Sequence, residues 1–376
     1  MSSMGSFFIT HVPPIIYHLC AFILGISLNT HALLIIPCFA ILSVYALLKT
    51  HTRTIALVCL MLPFGCIIHN SYSHLYEKAA LVIPTNPTTI TGVVVDIQKT
   101  NHRIFKNMVV LTLNTVDGKS IPWFNPHQNI HIYVSSFPNV EVDDRITLDN
   151  ILCKQPPPCS YRNHLMREHT IATAFIPKLV PITTDRPTFS YKRWIYNLKI
   201  SATKRATQVL LPNTKALYAS LFLGNKTYSP ACYESIKEQF RRWGLSHYLA
   251  RSGLHLVLIV ALWIWFFRII PILFIHKEMC IALLVMIYAT LSWSSISFIR
   301  ALSTFFLCKL CSCMWHHYYN NLHLLTVTAF YLLIQNPLHI FYLDFQLSFG
   351  ITFALAWLHL LKTYQNKIAV QTIASP

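Results

Sequence analysis

Arg241, Arg242 and Arg251 crowd one short stretch of the sequence, and Arg300 stands alone between two apolar runs. Guanidinium groups suit phosphate, so three together can form a mouth for a polyanion. A charge among apolar residues is a functional candidate by default. The plainer alternatives are lipid-headgroup contact for the three and snorkelling to the membrane surface for Arg300. Ser252-Gly253 directly precedes the apolar run from Leu254. Serine caps helices and glycine allows close approach, so the pair suits a half-helix aiming free N–H groups at an anion. An ordinary capped membrane helix reads the same way. His247 and His255 are eight residues apart, a helical spacing that Ser252-Gly253 interrupts. With no acidic ligands nearby, structural hydrogen bonding is a better role for them than metal binding. Gln346 lies in an apolar run and suits a hydrogen bond across helices.

Cys153 and Cys159 flank Pro156-Pro157-Pro158, an arrangement that permits a small disulfide in an oxidising compartment. Cys308, Cys311 and Cys313 with His316 and His317 have the donor types of a metal cluster. They fall in an apolar helix, where cysteine is mostly a small hydrophobe. No paired acid–base set emerges, so the expectation is no catalytic residue, no metal, no cofactor and no enzyme.

The elements that carry these residues are apolar. Hydrophobic residues make up 54% of the 376 and charged residues 11%, against about 25% charged in soluble domains. Long apolar runs point to membrane spans. Three open the chain: Pro14–Leu28, Ala32–Leu48 and Thr54–Ile68. The first thirty residues hold no Lys or Arg, so a cleavable signal is not expected. Lys49, His51 and Arg53 place the second connection in the cytoplasm, and the chain leaves on the far side after the third span.

Residues 72–192 then read as an external β domain, with strands at Ile90–Ile97, Met108–Leu113, Ile130–Val134, Ile146–Leu152 and Thr170–Ile176. Asp117-Gly118 and the three prolines mark turns. Short strands at this density suit a small barrel such as an OB-fold, or a plain sandwich. Its aromatic residues Phe105, Trp123, Phe124, Tyr133, Phe137 and Tyr161 serve either as core or as a surface for stacking bases. Trp194–Leu211 has the spacing of an amphipathic helix lying in the membrane interface. A second apolar block follows, with candidate spans Leu254–Ile275, Met279–Phe298, Ala301–Trp315, Leu322–Ile334 and Leu347–Leu361. Some are short enough to be broken or re-entrant.

The formal net charge is +17. Residues 193–251 hold ten basic and two acidic residues, whereas 72–192 hold twelve and nine. The basic excess beside the membrane faces either anionic lipid or a polyanion. Near-balanced charge argues against strong nucleic-acid binding by the β domain alone.

Residues 216–255 carry Gly224, Gly244, His247, Leu249, Ala250, Ser252, Gly253 and His255. In this order they resemble the opening of the competence domain of the ComEC family. Ser297-Phe298-Ile299-Arg300-Ala301, Asn336-Pro337-Leu338 and Phe345-Gln346-Leu347-Ser348-Phe349 resemble later elements of it. Arg251 replaces a usual aliphatic residue and Asp344 a usual glycine.

The resemblance implies a polytopic α-helical membrane protein with an inserted extracytoplasmic all-β, OB-fold-like domain. Its parts would be a three-span segment at 1–71, the β domain at 72–192, an interfacial helix at 193–215 and the competence membrane domain at 216–376. That domain is expected in shortened form, without the metallo-β-lactamase-like domain of some relatives. The implied function is a channel component for single-stranded DNA in the bacterial cytoplasmic membrane. Implied partners are single-stranded DNA, lipid, a DNA receptor, a cytoplasmic helicase or translocase, and further copies of the chain. The DNA-path candidates are Arg241, Arg242, Gly244, His247, Arg251, Ser252, Gly253, His255, Arg300 and Gln346. The alternative is a non-conducting, truncated anchor presenting the external domain.

Overall fold

Runs of β-branched residues between Thr89 and Ile176 alternate in burial, which buries one face of a sheet and leaves the other for polar groups. The computed structural model describes residues 14–27, 53–84, 87, 89–100, 104–122, 125–136, 140–149, 151–156, 160–176, 178, 181, 183–225, 230–244, 253–271, 273–292, 295–315 and 321–374. Two units are distinguished, Met1–Ser73 with Ile299–Pro376, and His74–Phe298.

In the second unit the strands are β1 (Thr89–Lys99), β2 (Asn107–Val116), β3 (Lys119–Ser120), β4 (Asn129–Val134), β5 (Arg145–Asp149), β6 (Cys153–Lys154), β7 (Thr170–Ile176) and β8 (Thr183–Asp185). They pair in the order β6-β7-β4-β2-β1-β5-β8, with β3 on β2. Strand β4 runs parallel to β7, and the other pairs are antiparallel. Asp117 and Gly118, at φ 49° and 76°, turn β2 into β3, as the Asp-Gly pair predicts. Val109, Leu111, Ile130, Ile132, Ile146 and Ile171 belong to a single buried cluster.

The stretch expected to be all-β also holds a helix. The segment Ser160–Arg167 is α-helical and buries Leu165 and Met166. Two turns are too short for a helical period to show in the sequence. The sheet is therefore mixed and carries a helix, and no pairing between its two end strands occurs among the described residues.

The expected first and third apolar segments form α1 (Pro14–Ser27) and α2 (Arg53–Val82). The expected span at Ala32–Leu48 lies outside the described residues. Helix α2 outlasts its apolar part. From His74 onward it packs on the sheet, where Ala79 joins the buried cluster and Asn125 Nδ2 donates to the Leu75 carbonyl at 3.0 Å. Helix α3 is the Ser160–Arg167 segment, and its Arg162 pairs with Glu77 at 3.5 Å.

The expected interfacial helix is α4 (Tyr191–Thr207). Its N-cap Ser190 accepts from the Arg193 amide at 3.1 Å and donates to Asp143 at 2.7 Å. Arg193 Nη2 reaches the buried Asp144 carboxylate at 2.6 Å. The opposite side exposes Tyr191, Trp194 and Leu198. The chain continues through α5 (Pro212–Leu221), α6 (Pro230–Arg242), α7 (Gly253–Ile269) and α8 (Phe274–Leu291). Then follow α9 (Ile296–Trp315), α10 (Asn321–Gln335), a 3-10 turn at Pro337–Phe341 and α11 (Leu343–Ala374).

Among the described residues one helix, over Leu343–Lys362, is long and apolar enough to cross a membrane. Shorter apolar helices lie at Ile15–Ser27, Gly253–Ile269 and Asn321–Gln335.

Candidate functional site

The sequence candidates fall in both units. In the His74–Phe298 unit, α5 ends at Leu221 and the next three residues make a compact turn. The Asn225 amide donates to the Ala219 carbonyl at 2.8 Å. Phe222 is the node of this turn: its carbonyl accepts the Tyr288 hydroxyl of α8 at 2.6 Å. Its ring meets His255 of α7 edge-on at 6.0 Å. His255 thus sits against an aromatic ring.

Helix α6 packs Tyr233 and Ile236 against Ala216 of α5 and ends in a basic last turn. The Gly244 amide donates to the Arg241 carbonyl at 3.0 Å with φ at +69°. Only glycine takes that conformation cheaply, so Gly244 is a helix stop. Arg241 and Arg242 are exposed, and both lean on Glu238, at 3.3 and 3.8 Å. Trp243 beside them is 79% exposed. Gly253 is buried and opens α7. His247, Arg251 and Ser252 lie outside the described residues.

In the other unit, Arg300 rises from α9 toward α11. Its Nη1 donates to the Thr352 hydroxyl, and its guanidinium lies 5.6 Å from the Phe349 ring centre. Thr304 donates to the Arg300 carbonyl at 2.8 Å and meets Thr328 of α10 at 3.4 Å. Thr352 donates in turn to the Ser348 carbonyl at 2.7 Å. Arg300 Nε and Ser348 Oγ are buried and have no hydrogen-bond partner among the described residues. The described partners of this cation are the Thr352 hydroxyl and the Phe349 ring face, with no carboxylate among them. Such a niche leaves donor capacity for an anion.

Gln346 is exposed and donates to the Ile340 carbonyl at 2.8 Å, closing the 3-10 turn onto α11. Its bond is local rather than across two long helices. Asn336 accepts from the Leu338 amide at 3.2 Å and so caps that turn, which is the physical use of Asn336-Pro337. Asp344 occupies the first turn of α11, where a carboxylate meets the positive end of the helix dipole.

Cys153 is a buried free thiol, raised to about 11 by burial. Cys159 lies outside the described residues, as do His316, His317, Trp123, Phe124 and Phe137. Cys308 and Cys311 are free thiols.

Sequence reasoning singled out Arg300 and missed its surroundings. Thr304, Thr328, Ser348 and Thr352 are hydroxyl residues in apolar helices, where they commonly bond back to their own turn. Only the spacing of Ser348 and Thr352, four residues apart, hints that they share a face.

Residues 221–374 match the family model described as Competence protein. No curated protein and no solved structure matches the chain.

Proposed function

We propose that this chain is a multi-pass membrane protein of the ComEC kind, taking part in the import of single-stranded DNA across the bacterial cytoplasmic membrane. The observation that carries the reading is Arg300, a guanidinium with no carboxylate partner among its described contacts, inside the region that matches the competence model. Arg300 is the fifth residue of α9, and a guanidinium held in an apolar helix carries a free-energy cost. A passing phosphate would offset that cost, and the orphaned Nε and Ser348 hydroxyl supply further donors. Exposed Arg241 and Arg242 fit the role of gathering the strand before it crosses.

Other features agree with the reading. Helix α7 exposes Leu254, Val257, Leu258, Leu262 and Trp265, an apolar surface suited to lipid. The strand path β7-β4-β2-β1-β5, with one parallel pair, is consistent with an OB-like reading of the β domain. In this proposal the β domain lies on the outer side and the strand arrives from a DNA receptor. A cytoplasmic helicase or translocase pulls it inward, and the chain itself performs no catalytic step.

The test is transformation of cells carrying Arg241→Gln, Arg242→Gln and Arg300→Gln together, with membrane insertion checked by fractionation. Transformation should be lost with insertion intact. Wild-type frequencies in the triple variant would count against the proposal.

A further inference from the structure

The outer face of the sheet holds a cleft that the DNA-import reading does not use. It has a volume of about 390 Å³ and lies between β1, β2 and β4 below and α3 above. That size falls in the range of small-molecule sites. Asp96, Tyr133, Tyr161, His131 and Glu168 supply its polar and aromatic lining, and Met108 and Val110 part of its apolar floor.

The composition of this lining is unusual for the chain it belongs to. The protein carries a formal charge of +17, yet among the described residues that line the cleft there is no Lys or Arg, while there are two carboxylates. Asp96 accepts from the Ile97 amide at 2.9 Å and from Gln98 Nε2 at 2.8 Å, and its two oxygens keep lone pairs to spare. Glu168 lies 3.6 Å from His164 and is half-exposed. Tyr133 stacks on Phe175 with ring centres 4.9 Å apart, and Tyr161 is exposed at the rim. Burial and the neighbouring Tyr161 and Glu168 push the Tyr133 hydroxyl up to about 12, so it stays neutral. Burial holds His131 down at about 4, so its ring adds no positive charge near neutral pH.

This face is where an OB-like sheet would receive nucleic acid. Here the carboxylates repel phosphate, and the aromatic rings with them attract the opposite charge. A metal ion is a poorer fit, since no group of three or more suitable ligands exists among the described residues. We infer that this cleft binds a small organic cation, a primary ammonium on an alkyl stem: the ammonium meets Asp96 and Glu168, and the stem covers Met108 and Val110. Both a free alkyl diamine and the headgroup of an aminophospholipid present that ammonium.

Cadaverine is the probe, titrated calorimetrically into the full chain in nanodiscs of zwitterionic phosphatidylcholine, with protein-free nanodiscs as the blank and 1-pentanol and glutarate as neutral and anionic counterparts. Cadaverine should bind, the two counterparts should not, and Glu168→Gln should weaken binding about tenfold, close to 1.4 kcal/mol. Asp96→Asn should weaken it similarly. Repeating the titration with phosphatidylethanolamine present separates the sources: an apparent loss of affinity assigns the cleft to the headgroup, and unchanged affinity assigns it to the free amine. Three results would overturn the inference: no binding of cadaverine, equal binding of 1-pentanol, or a short oligothymidylate that binds and is strengthened by Glu168→Gln. None of these readings depends on whether the chain conducts DNA.

Discussion

Arg300 on α9 donates its Nη1 hydrogen to the Thr352 hydroxyl on α11, and Thr352 passes its own hydrogen to the Ser348 carbonyl. The pair joins a charged donor to a hydroxyl that is itself tied to its helix. Hydrogen bonds to charged groups contribute roughly 1.5–3 kcal/mol. Thr352→Val should lower stability by about that amount, and Thr352→Ser should keep most of it. Thermal melts in detergent check this. Equal melting of the two variants would show that the bond is idle.

Helices α1 and α2 approach through glycine. A Cβ on Gly25 would stand 2.0 Å from the Leu62 carbonyl oxygen, and one on Gly65 would stand 2.3 Å from that of Phe22. Small residues allow such contact in apolar surroundings. Gly25→Ala and Gly65→Ala should each cost about 1–3 kcal/mol through forced separation. Gly350, with no described atom within 4 Å of its added Cβ, is the control: Gly350→Ala should be neutral or stabilising. Melting temperatures of the three variants decide it.

Asp144 is wholly buried and binds both Arg193, 13% exposed, at 2.6 Å and Arg186 at 2.8 Å. This carboxylate fastens the start of α4 to the sheet. Its removal takes the buried partner from both guanidinium groups and leaves them the half-exposed Glu141, so Asp144→Ala should destabilise by about 1–3 kcal/mol. The protease sensitivity of the 186–193 segment should rise in parallel. An unchanged digestion pattern would show that other contacts hold α4.

His131 donates to or accepts from Thr170 at 2.9 Å in a buried setting. Burial, helped by His164, lowers its pKa to about 4, below an unfolded value near 6.5. The unfolded chain therefore takes up the proton first. Stability should be level above about pH 6.5, fall as pH drops toward 4 and level off below, a loss of roughly 3 kcal/mol. His169, also lowered by burial, adds to the same slope. Hydrogen exchange at Ile130–Val134 should quicken over this window, and less so in His131→Asn. A slope unaffected by that substitution would place the acid sensitivity elsewhere.

The strands were legible because β-branched runs sit between strong turn signals. Thr170–Ile176 folds with the ends read from the sequence. The continuation of α2 past Ile68 was not legible: His69, Asn70 and Ser71 look like the end of a span. Further on, the helix turns a different face to a different neighbour, burying Tyr76 and Ala79. At the site, Arg300 announced itself as a charge among apolar residues. Thr352 and Ser348 did not, since nothing local distinguishes a hydroxyl that serves another helix from one that bonds its own turn. The cation cleft was hidden for a related reason. Asp96, Tyr133 and Glu168 come from separate elements and meet only when α3 lies across the sheet.

The most direct measurement is the import of labelled DNA into cells lacking this gene, supplied with the wild-type chain or with Arg300→Gln. Wild type should restore label that resists external nuclease, and Arg300→Gln, inserted at the same level, should leave it at the background of the deletion. Full import through the Arg300→Gln chain, or undiminished import with no chain at all, would contradict the account.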